Sequence, residues 1–298
     1  MNDLDIPWRR AVVSVDQFSR ADIDKIFGLA ARLSVGRTMP LTGKSLVNLF
    51  YEPSTRTSSS FYAAMTRLGG SVIPINEVNY SSVTKGESLE DTIRTLECYA
   101  DALVLRHYDE DATERAVSVA SIPLINAGNG AGEHPTQALL DLYTISKERG
   151  GIDGLTITLM GDLKHGRTVH SLVKLLRMYD VKLNFVSPRE LSMPSSYLMS
   201  GDSEYLDLDP VIEDTDILYV TRVQRERLAD TMVIDFSYAV TREDMDRAKA
   251  NMVLMHPLPR VGEIPAELDS DPRAAYFRQM KYGLHVRMAL LVSMIGRD

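Results

Sequence analysis

The segment STRTSSSF (54–61) crowds six hydroxyl side chains around one guanidinium, Arg56, directly behind the apolar run SLVNLF (45–50). Where a strand hands over to a helix, backbone N–H groups are exposed; hydroxyls and an arginine fork add donors, and the set suits a phosphate or a carboxylate. Serine and threonine are equally at home as helix N-caps, where they satisfy those same N–H groups. The segment alone supports either reading. Four more arginines follow apolar runs: Arg106 ends ALVLR (102–106), Arg167 follows LTITLMG (155–161), Arg222 follows DILYVT (216–221) and Arg260 follows MVLMH (252–256). Parallel α/β sheets bind ligands at the carboxyl ends of their strands, so five arginines there describe a positive site for one or more multiply charged anions. The competing reading is that some are surface arginines paired with carboxylates.

Other chemistries fail on spacing. Gly43-Lys44-Ser45 resembles the end of a P-loop, but Thr38 stands where its first glycine belongs. Gly128 and Gly130 would need a glycine at 133 for a dinucleotide fingerprint, and the chain has Glu133. His165 and His170 are five apart and would face different sides of a helix, with no carboxylate or thiol completing a metal set. No nucleophile elbow or Cys/His pairing is evident. The chemistry expected is positioning and electrostatics, with no metal, cofactor or covalent intermediate.

The elements that must present these residues alternate along the chain. Strand candidates are 45–50, 71–75, 102–106, 123–127, 155–161, 182–187, 216–221 and 252–256, short and rich in Val, Ile and Leu. Helical spacing fills most intervals, and capping boxes open several: Ser19 with Asp22, Ser88 with Asp91, Thr241 with Asp244. Eight strands and their helices fit either one barrel or two parallel sheets. The loop 128–134 is a candidate domain boundary, and 187–215, with three prolines, is left without an assigned structure.

Composition sets the class. The chain has 298 residues, 44% hydrophobic and 25% charged, enough for two domains. One cysteine, Cys98, precludes an internal disulfide and suits a reducing compartment. No secretory segment or membrane-length apolar run is seen, so a cytoplasmic location is expected. A net charge of −8 argues against general affinity for nucleic acid or membrane surfaces.

Taken in order, YEPSTRTSSSF (51–61), TKGESLEDT (84–92), VLRH (104–107), GEHPTQALLDL (132–142), GDLKHGRTVHSL (161–172), YVTRVQRERL (219–228) and HPLPR (256–260) closely resemble the aspartate carbamoyltransferases, across nearly the whole chain. STRT and HPTQ are common to all transcarbamoylases, whereas ornithine-type members carry a cysteine motif, HCLP, where this chain has His256-Pro257-Leu258-Pro259. Ser58 stands where many members have arginine, and the segment looks most like the domains of eukaryotic multienzyme pyrimidine proteins. A standalone protein and a domain of a longer one both fit.

The resemblance implies an α/β fold of two doubly wound domains with parallel sheets. One is 1–133 with a returning C-terminal helix at about 285–298, binding carbamoyl phosphate; the other is 134–284, binding aspartate. It implies that Ser54, Thr55, Arg56, Thr57 and Arg106 hold the phosphate, and that Thr55, Arg106 and His134 meet the carbamoyl oxygen. Gln137 and the backbone at Leu258 and Pro259 would orient the carbamoyl nitrogen and the attacking amine, and Arg167, Arg222 and Gln224 would grip aspartate. Arg260 is expected to brace its loop. Ser81 and Lys85 would reach the neighbouring subunit's site, Lys85 touching both substrates, which makes the protein a homotrimer with shared sites or part of a larger pyrimidine-pathway assembly. The implied activity is carbamoyl transfer to L-aspartate; another amine such as ornithine, or anion binding without catalysis, are the alternatives.

Overall fold

In this computed structural model, residues 7–36, 38–76, 86–223 and 238–296 are described. The chain divides into two compact units, 1–140 with 281–298, and 141–280, so the division falls within helices α5 (Pro135–Arg149) and α8 (Tyr276–Ile295).

The first unit carries a five-stranded parallel sheet in the order β1-β5-β4-β2-β3, formed by β1 (Ala11–Val12), β2 (Ser45–Phe50), β3 (Ser71–Ile75), β4 (Ala102–His107) and β5 (Leu124–Asn129). β2 and β4 are buried on both faces, which is why they read as near-continuous apolar runs. Val47, Leu49, Leu103 and Leu105 pack on one face against Leu89 and Ile93 of α3 (Leu89–Leu96) and Ala112 and Ala116 of α4 (Ala112–Val119). The second unit repeats the plan as β10-β9-β6-β7-β8, from β6 (Thr156–Met160), β7 (Lys182–Val186), β8 (Ser203–Tyr205), β9 (Ile217–Val220) and β10 (Val253–Met255). Its core joins Val186, Leu218, Val220 and Leu254 to Met245 of α7 (Arg242–Arg247), Leu268 and Tyr276.

Two sheets, not one barrel, resolve the ambiguity of the strand pattern. β1 and β8 were not anticipated; each is an edge strand of two or three residues, too short to show a period. β8 lies inside the stretch 187–215 that had no assignment. Full capping boxes form at Ser19–Asp22, which opens α1 (Arg20–Val35), and at Thr241–Asp244. At Ser88 the hydroxyl accepts from Asp91 N–H.

Strand order reverses at one place in each sheet. From β2 the first sheet runs through β3 on one side and begins again at β4 on the other; from β6 the second runs through β7 and β8 and begins again at β9. Loops diverge at such switch points, and the crevice they leave beyond the carboxyl ends is where doubly wound sheets bind ligands. Arg56 and Arg106 flank the first switch point, and Arg167 and Arg222 the second. Among the described residues, no helix is long and apolar enough to cross a membrane.

Candidate active site

In the first unit, β2 and β4 lie side by side with Phe50 opposite Arg106, and Tyr51 N–H extends the pairing by donating to Arg106 O at 2.8 Å. The chain then turns into α2 (Thr55–Arg67). Ser54 occupies the N-cap position, yet its hydroxyl makes no capping hydrogen bond; the first helical bond runs from Ser58 N–H to Ser54 O at 3.1 Å. The N-cap reading of this serine is therefore not realised, and the first-turn N–H groups open onto the end of the helix beside its hydroxyl. Thr55 and Arg56 are exposed, while Thr57 is buried. Ser58 is structural: its buried hydroxyl donates to Asn76 Oδ1 at 2.8 Å and its carbonyl accepts from Asn48 Nδ2 at 3.1 Å. Arg106 is held from two sides, Nη2 lying 3.0 Å from Glu52 Oε2 and Nη1 donating to Ala127 O at 3.3 Å.

The loop after β5 is pinned so that α5 starts at a fixed place. Gly130 adopts φ 51°, and a Cβ there would come within 2.5 Å of Tyr108 O. Glu133 accepts Ser14 Oγ at 2.8 Å and Val15 N–H at 2.9 Å, while its own N–H donates to Asn129 Oδ1. His134 stands at the head of α5, its carbonyl accepting from Gln137 and Ala138 N–H, and the side chains of His134 and Gln137 are buried.

In the second unit, Gly161 follows β6 with φ 119°, where a Cβ would sit 2.1 Å from Thr221 O; only glycine lets the chains leaving β6 and β9 approach so closely. Arg167 is the first residue of α6 (Arg167–Leu176) and is 9% exposed; Arg222, two residues beyond β9, is half-buried. Ahead of α6 the fully buried Asp162 accepts His165 N–H at 3.0 Å, with His165 Nδ1 at 3.1 Å from the same oxygen. His170 Nε2 donates to Leu163 O, 2.8 Å away, and the ring stacks on Tyr197; it belongs to the packing of α6. Among the described residues no His, Cys, Asp and Glu cluster could hold a metal ion.

The loop after β10 contains a cis Leu258–Pro259 bond, with Leu258 at φ 56°. Arg260, the fifth strand-end arginine, pairs with both oxygens of Asp269 and donates to Tyr276 OH at 3.0 Å. These bonds hold the Asp269 carboxyl down to about 2, and burial with the Asp269 charge pushes Tyr276 up to about 12. Arg260 braces its loop, as expected from the sequence. Glu52 went unnoticed in the sequence, although it sits two residues before Ser54. Ser81, Lys85 and Gln224 lie outside the described residues.

Each of the two parallel α/β units presents arginines at its switch point, and the first adds a helix end whose Ser54 makes no side-chain cap. Comparison with known proteins is specific. Residues 10–147 match the "Aspartate/ornithine carbamoyltransferase, carbamoyl-P binding domain" model and 153–294 the "Aspartate/ornithine carbamoyltransferase, Asp/Orn binding domain" model. The aspartate carbamoyltransferase catalytic subunit of Thermoplasma acidophilum is 48% identical over 96% of this chain and 98% of its own. Multifunctional protein pyr1-3 of Dictyostelium discoideum is 51% identical over 96% of this chain, which spans 13% of that relative's length. Aspartate transcarbamoylase from Trypanosoma cruzi, solved with carbamoyl phosphate, superposes with a TM-score of 0.92 at 46% identity, covering 96% of both chains. The chain belongs to the aspartate/ornithine carbamoyltransferase family.

Proposed function

We propose that this chain transfers the carbamoyl group of carbamoyl phosphate to L-aspartate, giving N-carbamoyl-L-aspartate and phosphate, the second step of pyrimidine synthesis. One observation carries the reading: the two switch points have different chemistry. The first pairs a hydroxyl-lined helix end with Arg56 and Arg106, which suits a phosphate; the second offers Arg167 and Arg222 beside a His256-Pro257-Leu258-Pro259 loop, which suits a dicarboxylate. The Trypanosoma cruzi neighbours were solved with carbamoyl phosphate and aspartate together, and with carbamoyl aspartate and phosphate.

In this reading Ser54, Thr55, Arg56, Thr57 and Arg106 hold the phosphate. The neutral α-amino group of aspartate attacks the carbonyl carbon, the C–N bond forms, and charge grows on the carbonyl oxygen facing Thr55, Arg106 and His134. The bond from carbon to the bridging oxygen then breaks, phosphate leaves with that electron pair, and the proton lost by the amine passes to the departing phosphate. Gln137, Leu258 and Pro259 orient the nitrogens, and Arg167, Arg222 and Gln224 hold the carboxylates. Fixing both reactants in one geometry supplies much of the acceleration. Ser81 and Lys85 come from the neighbouring subunit of a cytoplasmic homotrimer, supported by the family resemblance of their segment.

Phosphate release measured with carbamoyl phosphate and each amine tests this. Turnover is expected with L-aspartate and essentially none with L-ornithine. Equal or greater activity with ornithine overturns the acceptor, and no release with any amine favours a binding protein.

A further inference from the structure

Asp141 lies on α5, one helical turn after Gln137, and is fully buried. Its Oδ2 accepts from Tyr219 OH at 2.8 Å and its Oδ1 from Gln279 Nε2 at 2.6 Å. Gln279, also fully buried, uses its other end to accept His256 N–H at 3.1 Å. The His256 ring in turn accepts Leu258 N–H on Nδ1 at 2.8 Å. A backbone amide can only donate, so Nδ1 carries a lone pair and the proton of the neutral ring is on Nε2, 3.7 Å from Glu263 Oε2. At the far end, burial first and then the Asp141 charge push the Tyr219 phenol well above its ordinary value, and Tyr219 shares a side-chain hydrogen bond with Thr168, the neighbour of Arg167.

The relay thus runs from the start of α6, past β9, to the backbone of Leu258, all inside the second unit. Its direction is set by Asp141. An ionised carboxylate only accepts, so Gln279 must turn its amide nitrogen toward it, which leaves the amide oxygen for His256 N–H. Leu258 needs such support because φ 56° is unfavourable for a branched-chain residue.

We propose that Asp141 is a positioning residue for carbamoyl transfer: by orienting the Gln279 amide so that its oxygen anchors the His256 backbone N–H, it holds the loop carrying Leu258 and Pro259 in the orientation that aligns the attacking amine. The inference rests on the reading above that this backbone meets the reacting nitrogens. Packing alone would need only the shape of Asp141, whereas the relay needs its acceptor character, and the two can be separated. Asp141→Leu keeps about the same volume but removes the acceptor, so nothing orients the Gln279 amide; Asp141→Asn keeps an acceptor, because its amide can turn Oδ1 to Gln279 Nε2 and Nδ2 to the Tyr219 hydroxyl.

The test uses steady-state kinetics on the full chain with carbamoyl phosphate and L-aspartate, on variants shown to be folded by circular dichroism. Asp141→Leu is expected to lose about tenfold to a hundredfold in kcat, the scale of a misaligned reactant, with KM for aspartate within about threefold. Inorganic phosphate binding should stay within about twofold. Asp141→Asn, which keeps the acceptor, should stay within about threefold of wild type in kcat. Wild-type kcat in folded Asp141→Leu overturns the proposal, as does a folded Asp141→Asn as impaired as Asp141→Leu. If Asp141→Leu does not fold, Gln279→Met decides, because it removes the bond to His256 N–H at similar volume: a fall of about threefold to tenfold in kcat supports the relay, and an unchanged kcat overturns it. The nitrogen-15 amide resonance of His256 reads the relay without turnover. A shift of that resonance in Asp141→Leu that is absent in Asp141→Asn upholds the relay even if the wild-type chain fails to use aspartate, which would condemn the proposed acceptor alone; an unmoved resonance in Asp141→Leu overturns the relay.

Discussion

Glu52 and Arg106 face each other at the first switch point, Oε2 to Nη2 3.0 Å, so the arginine proposed to bind phosphate already holds a carboxylate. An incoming phosphate must compete with Glu52 for the same fork. Half-buried pairs of this kind contribute on the order of 1 kcal/mol. Glu52→Gln is therefore expected to tighten binding of free inorganic phosphate about threefold to tenfold, measured by titration calorimetry. Weaker binding would mean that Glu52 chiefly orients Arg106.

The division of chemistry between the switch points separates two arginines. Arg56→Ala should raise KM for carbamoyl phosphate and lower kcat by about a hundredfold or more, as loss of an oxyanion donor does. Arg222→Ala should mainly raise KM for aspartate. Swapped effects would reverse the assignment of the two units.

His170 gives a pH dependence of stability whose sign follows from its surroundings. Burial lowers its pKa below the ordinary value of 6.5, despite the Leu163 carbonyl. A depressed histidine favours the folded state fully above its unfolded value, and the contribution is lost as pH falls through that value toward the folded one, because the unfolded chain takes the proton first. Stability should thus drop between about pH 7 and 5, by at most about 1.4 kcal/mol per pH unit for one such group. His170→Gln, which can still donate to Leu163 O, should show a smaller drop in its urea midpoint over that range.

If Lys85 serves the neighbouring subunit, Arg56→Ala and Lys85→Ala parents should each be nearly inactive yet complement when mixed. In a closed ring of three, every mixed ring has one junction with both residues intact. Random reassembly of equal amounts makes about three quarters of rings mixed, so about a quarter of wild-type activity should return. Verified subunit exchange without recovery would place the whole site in one chain.

What the sequence determined by itself was local. SLVNLF, ALVLR and LTITLMG announced central strands because burial on both faces demands unbroken apolar runs, and the arginines behind them marked the ligand-binding edge because that edge follows every parallel strand. The motif series carried the family for the same reason: its residues are contiguous. The tertiary structure decided what depends on partners distant in the chain. Strand order, and hence two sheets rather than a barrel, rests on pairings such as Leu46 with Ala102 and Ile157 with Ile217. Whether Ser54 caps its helix was settled by backbone geometry, and Arg260 was claimed by Asp269 and Tyr276. Asp141 stood in plain view inside HPTQALLDL, but its partners Tyr219 and Gln279 lie 78 and 138 residues away. A hydrogen bond has a range of about 3 Å in space and no range along the chain, so only folding could reveal what that carboxylate holds.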